Sequence, residues 1–235
     1  MGDKNVSTIV RFWGHAALWV ETGGYKLLID PFLKGNPFAP VEPGDVEPDY
    51  ILVTHGHGDH LGDTVEIAKR CKATVISNAE IRDWLEARGV KGHGMNIGGG
   101  YHFPFGYLKM TQAVHSSTMD DGSSGGNPGG FLLTTIQGEK LYFAGDTGLF
   151  GDMRMIGEEG LALAVIPVGD NYTMGLDEAL RAVKMLQPRH VIPIHYNTFK
   201  ILRQEIEGWK RRVESETGAE VIVLLPGEAW QMGDV

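Results

Sequence analysis

Short apolar runs with alternating polar positions fill the first part of the chain. Residues 7–12, 17–21 and 25–30 each read as a strand, the last two joined across Thr22, Gly23 and Gly24, so the chain opens as an antiparallel meander. Asp30 and Pro31 end it. Prolines at 37, 40, 43 and 48 then predict an extended surface loop over 34–48, of the kind that shapes access to a neighbouring site. Residues 50–53 are a further apolar run. From 61 to 71 the spacing turns helical, with Leu61, Val65 and Ala68 near one face. A strand at 73–76 precedes a helix at 79–88, which Asn78 or Ser77 would cap and Gly89 would stop.

The middle of the chain is rich in glycine. Gly98, Gly99 and Gly100 fit no phosphate-cradling spacing, and 96–105 reads as a tight hairpin. A strand at 107–114 comes next, then a stretch at 116–130 rich in Gly, Ser and Asp that reads as flexible. Residues 131–136 and 140–144 form a hairpin across Gln137 and Gly138. Residues 161–168 are apolar throughout, as expected of a strand covered on both faces. A helix over Leu176–Leu186 has Thr173 as its candidate cap. A strand at 190–194, a helix at 200–216 and a closing strand at 220–225 complete the order. Strands dominate early and strand–helix pairs late. Two face-to-face sheets with helices outside both would bury these runs. The expected class is therefore α/β, a four-layer α/β/β/α sandwich of mixed, mostly antiparallel sheets. No composition shift marks a linker, so 1–235 is expected to be one domain.

Charge and cysteine usage narrow the setting. Lys and Arg number 21 against 30 Asp and Glu, a formal charge of -9, which argues against a phosphate backbone as the default partner. Cys71 stands alone, so no internal disulfide forms, and its default role is a small apolar filler. Met1, Gly2, Asp3 and Lys4 do not resemble an export leader, and no apolar run approaches membrane-spanning length. A cytoplasmic protein is expected, with peripheral lipid contact left open.

The chemistry gathers directly after 50–53, where His55, His57, Asp59 and His60 fall within six residues. His115, Asp146 and His195 stand at or just past the ends of three later strands. A strand scaffold can thus bring five imidazoles and two carboxylates to one rim, a donor set suited to zinc and also to manganese or iron. Seven ligands are too many for one tetrahedral ion. They suffice for two ions sharing a bridging carboxylate and a bridging water. His55 and His57, two apart on extended backbone, can face one ion. Asp59 and His60, beyond the turn, can face another.

The order His-x-His-x-Asp-His followed by distant His, Asp and His resembles the metallo-β-lactamase superfamily. Within it the chain most resembles the small cytoplasmic metal-dependent hydrolases related to the ascorbate-6-phosphate lactonase group. The resemblance runs from Phe12, Trp13, Gly14, His15 and Ala16 to the region of His195. It takes in Val114 to Ser117, Gly145 to Thr147 and Tyr172 to Gly175. It implies that His55, His57 and His115 hold a first ion, Asp59, His60 and His195 a second, with Asp146 bridging. The expected cofactors are two divalent metal ions, zinc foremost, with manganese, nickel or iron compatible. Diiron members of the superfamily that reduce oxygen or nitric oxide place Glu where His57 stands and work with a flavin, so hydrolysis is expected over redox chemistry.

The expected activity is that of a hydrolase using a metal-bridging hydroxide on a small, anionic ester, lactone or phosphoester, with that small molecule as its partner. Asp59 would orient the nucleophile and take its proton. His15, which the resembling branch also carries, joins it as a catalytic candidate. His102, Asn171 and Tyr172 are candidates for lining the pocket, and Ser116, Ser117 and Thr147 for hydrogen bonding to the ligands. The alternative is a phosphodiesterase acting on nucleic acid or phospholipid; an exposed apolar groove near 37–46, if the fold forms one, would support the latter. Oligomeric state is not fixed by the sequence.

Overall fold

The computed structural model describes residues 7–233. β1 (Ile9–Phe12), β2 (Leu18–Thr22) and β3 (Tyr25–Ile29) form the antiparallel meander that the alternation predicts. β4 (Tyr50–Leu52), β5 (Thr74–Asn78) and β6 (Gly92–Met95) extend the same sheet in parallel. Between them run α1 (Gly58–Leu61), α2 (Thr64–Cys71) and α3 (Ala79–Glu86). The chain then crosses to a second sheet. β7 (Gly100–Phe103), β8 (Gly106–Gln112), β9 (Gly129–Thr135) and β10 (Lys140–Phe143) pair antiparallel in turn. β11 (Leu163–Pro167), β12 (His190–Ile194) and β13 (Glu220–Val221) add in parallel. The crossovers in this half carry α4 (Met153–Gly157), α5 (Leu176–Leu186) and α6 (Ile206–Thr217). β14 (Ala229–Gln231) returns to the first sheet and pairs with β1.

Both sheets are therefore mixed and share one plan, antiparallel pairing first and parallel pairing after. The switch falls between β3 and β4 in one sheet, and between β10 and β11 in the other. Side-chain alternation sets the layers. Leu27, Leu52 and Ile76 of the first sheet meet Leu108, Phe131, Val165 and Ile192 of the second in a shared core. Ile51, Val53 and Val75 point the other way, against Ile67, Ala68, Ile81 and Leu85 of α2 and α3. Ala164, Ile166 and Val191 likewise meet Ala179, Val183, Trp209 and Val213 of α5 and α6. The unbroken apolar run at 161–168 is thus explained: alternate residues of β11 enter different cores. Among the described residues no helix is long and apolar enough to cross a membrane.

Several boundaries differ from the sequence pattern for local reasons. The helical run at 61–71 breaks at Gly62, whose φ is +43° and where any side chain would strike the Pro31 carbonyl. Asn78 caps α3, its side chain accepting from the Ile81 N–H at 2.8 Å. Thr173 does not cap α5: Gly175 holds that position, and the Thr173 hydroxyl is buried without a hydrogen-bond partner. The helix expected from 200 starts at Ile206, where the Glu205 carboxylate accepts from Gly208 N–H, while Lys200–Leu202 forms a 3-10 turn. The triple glycine does not form a hairpin. It turns the chain from β6 to β7, and the hairpin falls one step later, between β7 and β8. The loop at 34–48 contains a 3-10 turn, Pro43–Asp45. The closing strand stops at Val221. The glycine-rich stretch at 116–130 folds back on itself, with Thr118 bridging Ser124 and Met119 buried.

One close approach brings the two sheets together at their ends. Gly145 has φ +62°, and a Cβ there would lie 2.8 Å from the Thr54 Cβ. The absent side chain lets the turn after β10 lie against the turn after β4. These are the turns that precede Asp146 and His55.

Candidate metal centre

The strand ends of both sheets open onto one rim. His55 follows β4, His115 follows β8 and Asp146 follows β10, each three residues beyond the strand, while His195 directly follows β12. His57 precedes α1, and Asp59 and His60 lie within it. All seven come together. His55 Nε2 faces His57 Nδ1 at 3.0 Å, and the His115 ring stands edge-on to both, with centroids 5.0 and 5.1 Å away. Asp146 lies between this trio and His60 and His195. Its Oδ2 is 3.1 Å from His195 Nε2 and 3.6 Å from His115 Nε2, and its Oδ1 is 3.3 Å from His60 Nε2. Asp59 Oδ2 is 3.8 Å from His195 Nε2.

A carboxylate that the sequence pattern does not single out, Asp30, orients two of the imidazoles. It is 1% exposed and sits just past β3. Asp30 accepts from Thr54 N–H at 2.8 Å, from the Thr54 hydroxyl at 2.7 Å and from His60 Nδ1 at 2.8 Å. Because the Thr54 hydroxyl donates to Asp30, it accepts from His55 Nδ1, 3.0 Å away. His55 thus carries its proton on Nδ1 and turns its Nε2 lone pair toward the centre, while Asp30 holds the Nδ1 proton of His60, so that His60 Nε2 becomes a ligand when its own proton leaves.

His15 works on the other side. Its Nε2 lies 3.0 Å from Asp59 Oδ2 and its Nδ1 3.0 Å from the Thr198 hydroxyl. A carboxylate only accepts, so Nε2 holds the proton and Nδ1 accepts from Thr198. Burial lowers the His15 pKa to about 4, partly offset by Asp59, so the ring is neutral near pH 7. His15 is buried beside the centre, its ring 4.1 Å from that of His195 between centroids, and its Nε2 is hydrogen-bonded to Asp59.

In the metal-free protein the electrostatics are those of cations replaced by protons. Burial works against a charged His60, yet Asp146 and Asp30 on either side hold its pKa well above the ordinary value. Burial likewise opposes charge on His195, but Asp146 and Asp59 raise it to about 9. Burial would raise the Asp59 carboxyl, and the hydrogen bond from His15 together with the neighbouring His195 and His60 outweighs it, holding it far below the carboxylate range. Asp146 is depressed in the same way by His60 and His195. Burial lowers His55 and His115. The donor set fits a divalent metal. His60 Nε2 and Asp146 Oδ1 are buried without hydrogen-bond partners, and both face the same space. Ligating atoms of His15, Asp59, His60 and His195 lie within 4.8 Å of one another, as do those of His55, His57 and His115, and those of His55, His60 and Asp146.

Other sequence candidates fall into place around this centre or away from it. Ser117 accepts the Gly56 N–H, and Ser116 Oγ lies 3.4 Å from His57 Nε2. The Thr147 hydroxyl accepts from Val114 N–H, joining the turns that carry His115 and Asp146. Asn171 and Tyr172 lie on the loop after β11, at the same rim. His102 does not join them. It lines a cleft with Tyr50 and Thr74, at the opposite ends of β4 and β5. Asp30, Thr54 and Thr198 are absent from the set that the sequence pattern singles out. The signal for Asp30 is its position: an aspartate just past β3 at the sheet's switch, the counterpart of Asp146 past β10.

Comparison with known proteins agrees with this geometry. A family model described as the Beta-lactamase superfamily domain matches residues 25–196, and the chain belongs to that superfamily. It is 48% identical over 227 residues to a UPF0173 metal-dependent hydrolase of Heliobacterium modesticaldum, covering 93% of this chain and 95% of the relative. It is 47% identical over 223 residues to a UPF0173 metal-dependent hydrolase of Thermus thermophilus, covering 95% and 98%. Among solved structures it superposes on Igni18, a metallo hydrolase of the archaeon Ignicoccus hospitalis, with a TM-score of 0.89 and 36% identity over 98% of this chain and 100% of that one. The chain is a metal-dependent hydrolase with a His/Asp metal-binding cluster.

Two measurements test the electrostatic account. Asp30→Asn leaves one acceptor oxygen where the carboxylate offers two, so Thr54 and His60 cannot all be satisfied, and metal affinity should fall by about 10–100-fold. Metal content after dialysis against a chelator checks it, and undiminished affinity would contradict the assigned role. Binding a cation expels the protons that the metal-free protein keeps on His60 and His195. Affinity should therefore weaken as pH falls below about 9, where His195 begins to hold its proton, and rise as pH is raised toward that value. Calorimetry in buffers of different ionisation enthalpy would register the released protons, and a flat affinity across that range would refute the account.

Proposed function

We propose that the chain is a dinuclear hydrolase acting on a small, anionic ester, lactone or phosphoester. The observation that carries this reading is the position of Asp146, whose Oδ2 is within 3.6 Å of an imidazole nitrogen in each of two histidine groups. His55, His57 and His115 would hold one ion, Asp59, His60 and His195 the other, and Asp146 would be shared. Zinc suits these donors, and manganese, nickel or iron are compatible. When bound, such ions supply polarisation of the scissile bond and acidify water toward neutrality.

The chain's own residues supply position. Asp59 has a side chain 37% exposed, while those of His15, His60, His195 and Asp146 are 3% exposed or less. It therefore faces the approach. Its Oδ2 is held by His15, which leaves Oδ1 to accept a hydrogen bond from the attacking water. The depressed pKa assigns Asp59 to orientation rather than to keeping a proton. His15, neutral and donating, is a positioning residue for Asp59, and Thr198 fixes its tautomer. An anionic substrate group suits a centre in which two divalent cations outweigh Asp59 and Asp146. The core shared by both sheets supports reading 1–235 as one domain. A lone cysteine fits a reducing, cytoplasmic setting.

The decisive experiment pairs metal analysis with turnover. Two equivalents of metal per chain should accompany full activity on a panel of small anionic esters and lactones. Chelation should abolish that activity, and re-addition of metal should restore it. Full activity at one equivalent would sink the dinuclear reading, and faster turnover of uncharged analogues the substrate charge. His15→Ala should lower kcat by about 10–100-fold with KM nearly unchanged, and His15→Gln, which keeps a donor, should recover part of it. A loss confined to KM would exclude the positioning role.

A further inference from the structure

Exposed apolar side chains are unevenly placed. Nine large hydrophobic residues are exposed among those described. Five of them, Phe38, Val114, Tyr172, Phe199 and Ile201, stand on loops that leave the site-bearing ends of β3, β8, β11 and β12. These loops lie at the end of the fold that carries the centre, where an apolar part of a ligand would find partners.

One of the five touches a residue at the centre, and a second lies beside the residue that precedes it. The Phe199 ring, 41% exposed, stands at 64° to the His15 ring with centroids 5.7 Å apart. Phe38, 48% exposed, lies beside Gly14, where a Cβ would sit 3.3 Å from its own Cβ. Phe32 covers another edge of His15 at 5.7 Å. His15 in turn holds Asp59 at 3.0 Å. Phe199 and Phe32 therefore flank the ring that holds the exposed carboxylate.

We propose that Phe199 and Phe38 form a subsite for an apolar group of the substrate, which makes the substrate class a small anion bearing an aryl or bulky alkyl group beside the scissile bond. This rests on reading the centre as the place of hydrolysis. Area favours a small molecule over a protein. Two half-exposed rings offer on the order of 150–200 Å², enough for one aryl group. A stable protein interface needs roughly 1,200 Å² or more. Polarity agrees, since the cation-binding centre takes the anionic end of such a molecule and the two rings take the other.

The test uses the metal-loaded full chain and two non-hydrolysable anions, benzylphosphonate and methylphosphonate, with binding measured by calorimetry. The wild type should bind the benzyl compound about tenfold more tightly. Phe199→Ala should cut that preference to about threefold, and Phe199→Ala with Phe38→Ala should abolish it, with metal content unchanged. Phe199→Leu should retain most of it, because an apolar surface remains. Equal binding of the two anions by the wild type, or an undiminished preference in the double variant, would overturn the subsite while leaving the metal centre intact. If neither anion binds protein of verified metal content, the anion-binding reading of the centre fails and the subsite with it. Partition onto vesicles of phosphatidylcholine and phosphatidylglycerol that the double variant loses would assign the two rings to a lipid surface instead, and would overturn the small-molecule class.

Discussion

The centre depends on one buried carboxylate. An aspartate out of water is costly unless its lone pairs are used, and the cost is several kcal/mol for an uncompensated charge. Asp30 avoids it by accepting from Thr54 N–H, the Thr54 hydroxyl and His60 Nδ1. Those bonds tie the end of β3 to the turn after β4 and to α1. They also fix which nitrogen of His55 and of His60 faces the centre. The electrostatic need of a buried anion and the coordination need of a cation are met by the same bonds. That coupling explains why a residue outside the ligand set governs it.

The fold supplies this arrangement in duplicate. Each sheet changes from antiparallel to parallel pairing once, and an aspartate stands just past the strand at each change, Asp30 after β3 and Asp146 after β10. The first is turned to hold a histidine, and the second reaches into the centre. Face-to-face packing of the sheets through the shared apolar core brings the two switches to the same rim. At their meeting point the turns nearly touch, Gly145 against Thr54. The apolar core thus does more than stabilise: it sets the distance between donors that arrive from opposite halves of the chain.

Much of this was legible in the residues. Alternating runs gave the meander and the β9–β10 hairpin, because sheets with both faces buried select β-branched and aromatic side chains strongly. The histidine cluster gave the centre, since so many ligands at strand ends have few other uses. The losses have physical causes. β6 reads Gly92, His93, Gly94 and Met95, with no β-branched residue to signal a strand, and it exists because β5 offers it a parallel partner. β14 is three residues long and is defined by pairing with β1 from the far end of the chain. α4 is one short turn whose Met153 is buried by tertiary contacts. Asp30 and Thr198 look like ordinary loop residues, because their meaning lies in partners 24 to 183 positions away.

Backbone conformation holds the centre as firmly as its side-chain bonds do. Asp30, His15 and His195 all have positive φ, at +46°, +58° and +57°. Side-chain-bearing residues rarely adopt this region, and each instance costs on the order of 1–3 kcal/mol. Three of them meeting at one place require surroundings that hold them there. The hydrogen bond from His195 N–H to the His15 carbonyl, at 2.7 Å, joins two of the three directly. It also links the turn between β1 and β2 to the end of β12, and so one sheet to the other. Strain held by a cross-sheet bond keeps the imidazoles in place before any ligand arrives, so little reorganisation remains for binding. The same link sets Phe199, a few residues past His195, beside His15. Phe199, His195 and His15 are therefore tied together through this backbone connection.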